Sequence, residues 1–211
     1  MTISSPRLVT MLAGIAVLSS TVGLLAILGF LASVGVEDVY GPPGSDDYKR
    51  YEAFNRVMAA VLGAGASGVA AFAGGNRQRL VHARLVTTLV VAGAWFGMAT
   101  ATAAEFWLFT DDSYAGDTAR QLAFTAFSVS ELVAMIGLFA LGISLLRTAD
   151  RPHVYAMAFI AYPLVAVGFY ASDLSLFLAP VGLTLLLGLT TISGLRLHGR
   201  EIARDTFPRV R

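Results

Sequence analysis

The chain has 211 residues, 56% of them hydrophobic and only 14% charged, and its mean hydropathy is +0.69. Soluble domains average about 25% charged residues, so this is the composition of a membrane protein, and it implies no nucleic-acid partner. Cysteine is absent and Lys49 is the only lysine. These two facts exclude disulfides, thiolate metal sites, a cysteine nucleophile and a lysine imine inside any apolar run.

About 20 apolar residues carry a helix across the hydrocarbon core. The first such run, near 8–34, is much longer than the ~7–15-residue core of a secretory signal and reads as an uncleaved helix. The connection that follows, "GVEDVYGPPGSDDYKRYEAFN" near 35–55, is the longest in the chain. Its GPPG is a turn signal, and Tyr40, Tyr48 and Tyr51 suit the headgroup region. It is expected either to fold over the mouth of a bundle or to be a solvated connector.

The second run, near 56–74, contains "VLGAGASGVAAFAGG". Gly63, Gly65 and Gly68 fit the dinucleotide fingerprint G-x-G-x-x-G, and the inner GASG fits the serine motif of an intramembrane protease. Neither reading survives its chemical requirements. A dinucleotide loop needs a preceding strand and an acidic residue about 20 positions on; position 88 is Thr, and no Asp or Glu occurs between Glu52 and Glu105. A serine nucleophile needs a base, and no histidine or lysine lies in a span to serve Ser67. The remaining reading is helix packing. Ala59, Gly63, Ser67 and Ala71 recur every fourth residue, as do Ala60, Ala64 and Gly68, and small residues so spaced let helix backbones approach in lipid.

The third run, near 85–110, carries Thr102 and Glu105, and the fourth, near 121–146, carries Ser128 and Glu131. Glu105 lies ~7 Å and Glu131 ~15 Å from the outer ends of their spans at a helical rise of about 1.5 Å per residue. Ionisable groups at such depth cost about 2.5–3.5 kcal/mol to insert and by default mark a functional site. Each glutamate follows a hydroxyl residue by three positions, so each pair shares a helix side. Glu105, nearer the interface, reads first as structural or as half of an outer ion pair with Arg56 or Arg120. Glu131 reads as a substrate, ion or proton site. The alternative for all these polar groups is interhelical hydrogen bonding, usually worth well under ~2 kcal/mol.

A shorter fifth run, near 153–171, has Pro163 in its middle and Tyr155, Tyr162 and Tyr170 along one side. The sixth, near 174–195, has a stripe of Thr184, Gly188 and Thr191. The two could form one re-entrant unit, but two spans are the simpler expectation. The basic tail, 196–211, suits an anionic inner leaflet, where each Arg near the surface adds about 1 kcal/mol; topology determination explains it equally well.

Charge placement sets an orientation. Only Lys49, Arg50, Arg56 and Arg120 of the 15 basic residues fall on the side of the first long loop. The positive-inside rule therefore puts both termini in the cytoplasm. His82, His153 and His198 all sit at span edges, so a haem held between spans lacks ligands and no zinc motif is present.

The expected fold is all-α: a single polytopic helix bundle of six transmembrane helices, integral to a prokaryotic cell membrane. The expected activity is that of a small transporter or its substrate-binding membrane component. Its site would lie in the outer half of the bundle, drawn from Glu131, Glu105, Ser128, Thr102, Thr184 and Arg56. In layout, though in no motif, the chain is similar to the vitamin-binding components of energy-coupling importers. The alternative is an accessory or assembly subunit with no site of its own. Expected partners are the lipid bilayer, a small-molecule or ion substrate, and other membrane subunits or further copies of the chain. No catalytic residue, metal or cofactor is implied.

Overall fold

The computed structural model describes residues 5–33, 45–76, 80, 82–108, 114–147, 153–171 and 176–206. These form six α-helices: α1 Pro6–Ser33, α2 Asp46–Gly75, α3 His82–Ala103, α4 Tyr114–Leu146, α5 His153–Ala171 and α6 Leu178–Thr206. A π-helical turn, Ala104–Leu108, continues α3. No strand occurs among the described residues. Helices α1 to α4 are long and apolar enough to cross a membrane, whereas α5 and α6 carry shorter apolar stretches, Val154–Phe169 and Leu178–Ser193. At about 1.5 Å per residue, α5 is still ~28 Å long, close to the ~30 Å hydrocarbon core.

Three boundaries differ from the hydropathy reading, each for the same reason. Helix α2 begins at Asp46 rather than near 56, α4 at Tyr114 rather than near 121, and α6 runs on to Thr206. Polar helical turns outside a bilayer carry no hydropathy signal. For α2 the local cause is a cap: the Ser45 hydroxyl accepts from the Tyr48 backbone N–H at 3.1 Å. Asp46 and Asp47 then occupy the first turn, where the helix dipole favours negative charge. Much of the expected loop near 35–55 is therefore helix. Residues 34–44, with Tyr40 and GPPG, lie outside the described residues. Tyr51 is not a free headgroup anchor: its ring meets Phe106 edge-on with centroids 5.4 Å apart.

Consecutive helices pack side by side and α6 returns to α1, while α2 also packs on α6. The C-terminal ends of α1, α3 and α5 lie at the first-loop end; the start of α1 and the described end of α6 lie at the opposite, tail end. Arg50 ties the first-loop end by donating from Nη1 to the Ser33 carbonyl of α1 at 3.1 Å. Aromatic rings fill the axis in tiers. Phe54, stacked on Phe30 with centroids 4.3 Å apart, meets Phe177 near the first-loop end, Trp95 meets Tyr162 further in, and Phe72 meets Tyr155 and Phe159 toward the tail. α5 therefore crosses the bundle from end to end as a separate helix, with no re-entrant turn among its described residues.

The outer surface completes the membrane assignment. Leu18, Leu28, Phe96, Ile136 and Leu164 are each more than 60% exposed, and every helix carries at least one exposed large apolar side chain. Water-soluble monomers rarely expose such a continuous apolar girdle; hydrocarbon solvates it. Inside, packing is closest at single glycines. A methyl group added to Gly142 would lie 2.9 Å from the Ala156 carbonyl oxygen of α5, and one on Gly188 would lie 2.9 Å from the Ala13 carbonyl oxygen of α1.

Candidate functional site

Helix α4 buries Ala123, Phe127, Glu131, Ala134, Leu138, Leu141 and Leu145. Each follows the last by three or four residues, the stripe of a helix packed on one face. Glu131 is the only acid on that stripe and is 1% exposed. It stands near the midpoint of a helix running from Tyr114 to Leu146.

Contacts between neighbouring helices fix what shares its level. Gly97 of α3 packs against Ser130, Gly137 against Val91, and Arg84 reaches Ser144. This antiparallel register sets Glu131 level with Phe96 and Gly97, beside Trp95. Across the axis, a methyl on Gly65 of α2 would meet Trp95 Nε1 at 3.4 Å and Thr184 Oγ1 at 3.3 Å. Glu131, Trp95, Gly65 and Thr184, from four different helices, thus form one polar layer inside the bundle. Trp95 is fully buried, and among the described residues its indole N–H has no hydrogen-bond partner. A buried indole N–H usually finds an acceptor, so this donor is available to one. Thr184 donates to the Pro180 carbonyl at 2.8 Å, which leaves its oxygen able to accept.

Glu105 belongs to a different place. It sits in the π-helical turn, half-buried, and lines a cleft of about 430 Å³ with Arg120, Gln121, Phe124 and Thr125 of α4. The Arg120 guanidinium is near enough for its charge to act on the Glu105 carboxylate. π-turns interrupt the regular i−4 bonding of a helix and recur at functional sites. Here Arg56 of α2 serves the turn: its Nε donates to the Phe106 carbonyl at 2.8 Å, and its Nη2 is 3.8 Å from Glu52 Oε2. Of the two cations expected near Glu105, Arg120 shares its cleft and Arg56 holds the backbone beside it.

Three of the remaining sequence-derived candidates bond to carbonyls of their own helices. Thr102, 3% exposed, donates to the Met98 carbonyl, and the half-buried Ser128 donates to the Phe124 carbonyl. Ser67 is bonded to the Ala64 carbonyl of its own helix. Gly188 and Thr191, read as continuing a polar stripe from Thr184, face the packing surfaces of α1 and α2: Gly188 abuts Ala13 and Val17, and Thr191 lies near Gly75.

The small residues of α2 divide by neighbour. Gly68 abuts Thr184 and Ala16, and Gly63 faces Ala99 of α3. In the row of Ala60, Ala64 and Gly68, Ala60 is exposed, Ala64 half-buried and only Gly68 fully buried; Ser67 of the other row is half-buried. Sequence reasoning gave Trp95 and Gly65 no part in a site. The signal for Trp95 was present, because a tryptophan in mid-span needs an acceptor that lipid cannot supply.

Among the described residues no three His, Asp or Glu side chains are grouped to hold a metal ion. Compared with known proteins, the chain matches no family, no curated protein and no solved structure.

Proposed function

We propose that this protein is a small membrane carrier, or the substrate-binding membrane component of one, whose site is the buried layer around Glu131. The burial of Glu131 at mid-depth carries this reading. A carboxyl group there costs about 2.5–3.5 kcal/mol of insertion energy, and by default such a group marks a functional site. The carboxyl binds a proton or a cationic group and the Trp95 N–H donates to the substrate, with Gly65 of α2 close against Trp95 and Thr184 across the axis. Pro163 inside α5 removes a backbone donor in mid-helix. Among the described residues α5 packs less closely on α6 than on α4, which favours the α5–α6 seam as the place where movement occurs. The orientation belongs to the same proposal: both termini cytoplasmic and the first loop outside.

The test is Glu131→Gln in protein purified in detergent and reconstituted with an entrapped pH-sensitive dye. Wild type moves protons under an imposed potassium or sodium gradient. The variant folds with a similar melting temperature and is silent. A silent wild type removes the reading of Glu131 as a proton carrier, and a variant as active as wild type removes Glu131 from the site. A second reading, an assembly subunit, is favoured by the exposed Ala60 beside the half-buried Ala64 and Ser67 on the outward face of α2. It predicts no flux from either protein and loss of oligomer or complex on Ala60→Leu.

A further inference from the structure

The cleft beside the π-helical turn has a chemistry of its own, separate from the Glu131 layer. Its lining brings one carboxylate, Glu105, and one guanidinium, Arg120, to the same opening, together with Gln121 and Phe124. Thr125 donates to the Gln121 carbonyl at 2.8 Å, which leaves its oxygen as an acceptor at the cleft wall. Exposed apolar side chains flank it on both elements. Leu122 and Phe124 on α4 are 66% and 49% exposed, and Trp107 and Leu108 on the turn are 54% and 73% exposed. Exposed apolar side chains around a charged cleft near the end of the spans place polar and apolar contacts where the headgroup and acyl regions of a bilayer meet.

We infer that this cleft binds the headgroup of a zwitterionic, primary-amine phospholipid, with phosphate on Arg120 and ammonium on Glu105 against the Phe124 ring. Arginine presents a donor fork that matches phosphate oxygens. A primary ammonium gives three N–H donors, which the Glu105 carboxylate and the Thr125 oxygen accept, and the face of an aromatic ring attracts the same cation. A volume near 430 Å³ lies within the ~300–1,000 Å³ of small-ligand sites. The acyl chains lie outside, along Leu122 and Leu108. A phosphatidylglycerol offers the phosphate but no cation, and a phosphatidylcholine offers a cation with no N–H donor.

The experiment compares thermal stabilisation of the detergent-purified full chain by short-chain phosphatidylethanolamine, phosphatidylcholine and phosphatidylglycerol, and by free phosphoethanolamine. The expected order puts phosphatidylethanolamine first, with the free headgroup weak because it lacks chains. In Glu105→Gln the preference for phosphatidylethanolamine over phosphatidylglycerol falls about tenfold in apparent affinity, as for loss of one charge-assisted bond. In Arg120→Gln all three lipids bind weakly. If Arg120→Gln does not fold, the Glu105→Gln comparison decides alone. Equal stabilisation by the three lipids, an unchanged preference in Glu105→Gln, or free phosphoethanolamine binding as tightly as the lipid would each overturn the proposal. The readout is independent of any flux through the Glu131 layer.

Discussion

Glu131 and Glu105 are the same residue type in two different settings, and their surroundings separate them. Glu131 lies on a buried stripe, level with an indole N–H and a threonine oxygen; Glu105 is half-exposed in a cleft with an arginine. The glycines separate in the same way. Gly142 and Gly188 meet backbone carbonyls of the next helix, which cannot swing aside, whereas a methyl on Gly63 would rest 3.7 Å from Ala99 Cβ, ordinary contact. Gly142→Ala and Gly188→Ala are therefore expected to lower stability by about 1–3 kcal/mol, the usual cost of overpacking. Gly63→Ala should be neutral or slightly stabilising, since Ala is the better helix former. Melting temperatures of the three variants in one detergent check the ordering, and equal losses would contradict it.

Two arginines show how helices are held in pairs. Arg84 of α3 donates from Nε to Ser144 Oγ at 2.7 Å and from Nη2 to the Ser144 carbonyl at 3.0 Å. This fork clasps α3 to α4 near the tail end. Lysine keeps the charge but loses the fork. Arg84→Lys is thus expected to cost nearly as much stability as Arg84→Ala, about 1–3 kcal/mol for a charged hydrogen bond left unmade. If Lys restored full stability in thermal unfolding, charge alone would be sufficient. At the other end, Arg56 bonds the Phe106 carbonyl of the π-turn. Arg56→Gln should speed amide hydrogen exchange in the peptide covering 104–108 while leaving exchange in α5 unchanged, which hydrogen-exchange mass spectrometry measures directly.

The assembled bundle has a girdle that only lipid solvates and an interior polar layer drawn from α2, α3, α4 and α6. The absence of native cysteine makes its orientation simple to test with single cysteines and an impermeant thiol reagent on intact cells. Cysteines placed at Ser5 and Arg209 are expected to stay unlabelled until the membrane is opened, and one at Gly44 to label at once. Immediate labelling of the tail would reverse the orientation and move the Glu105 cleft to the inner leaflet.

Apolar runs of about 20 residues, broken by charged clusters, determined the number and order of the helices, because burial in hydrocarbon acts on each segment by itself. The missing acid, histidine and lysine likewise removed the catalytic readings of GAGASG without any coordinates. Sequence alone could not say which side of each helix faces inward. Hydrophobic residues occur on every face of a membrane helix, so the amphipathic signal of soluble proteins is weak here. Helix ends beyond the bilayer were hidden for a related reason, since a polar turn reads as loop. Only the packing of α3 against α4, and of α2 against α3 and α6, put Trp95 and Gly65 at the level of Glu131. The same packing sent Glu105 to a separate cleft with Arg120, because neighbours in space are set by helix register and not by distance along the chain.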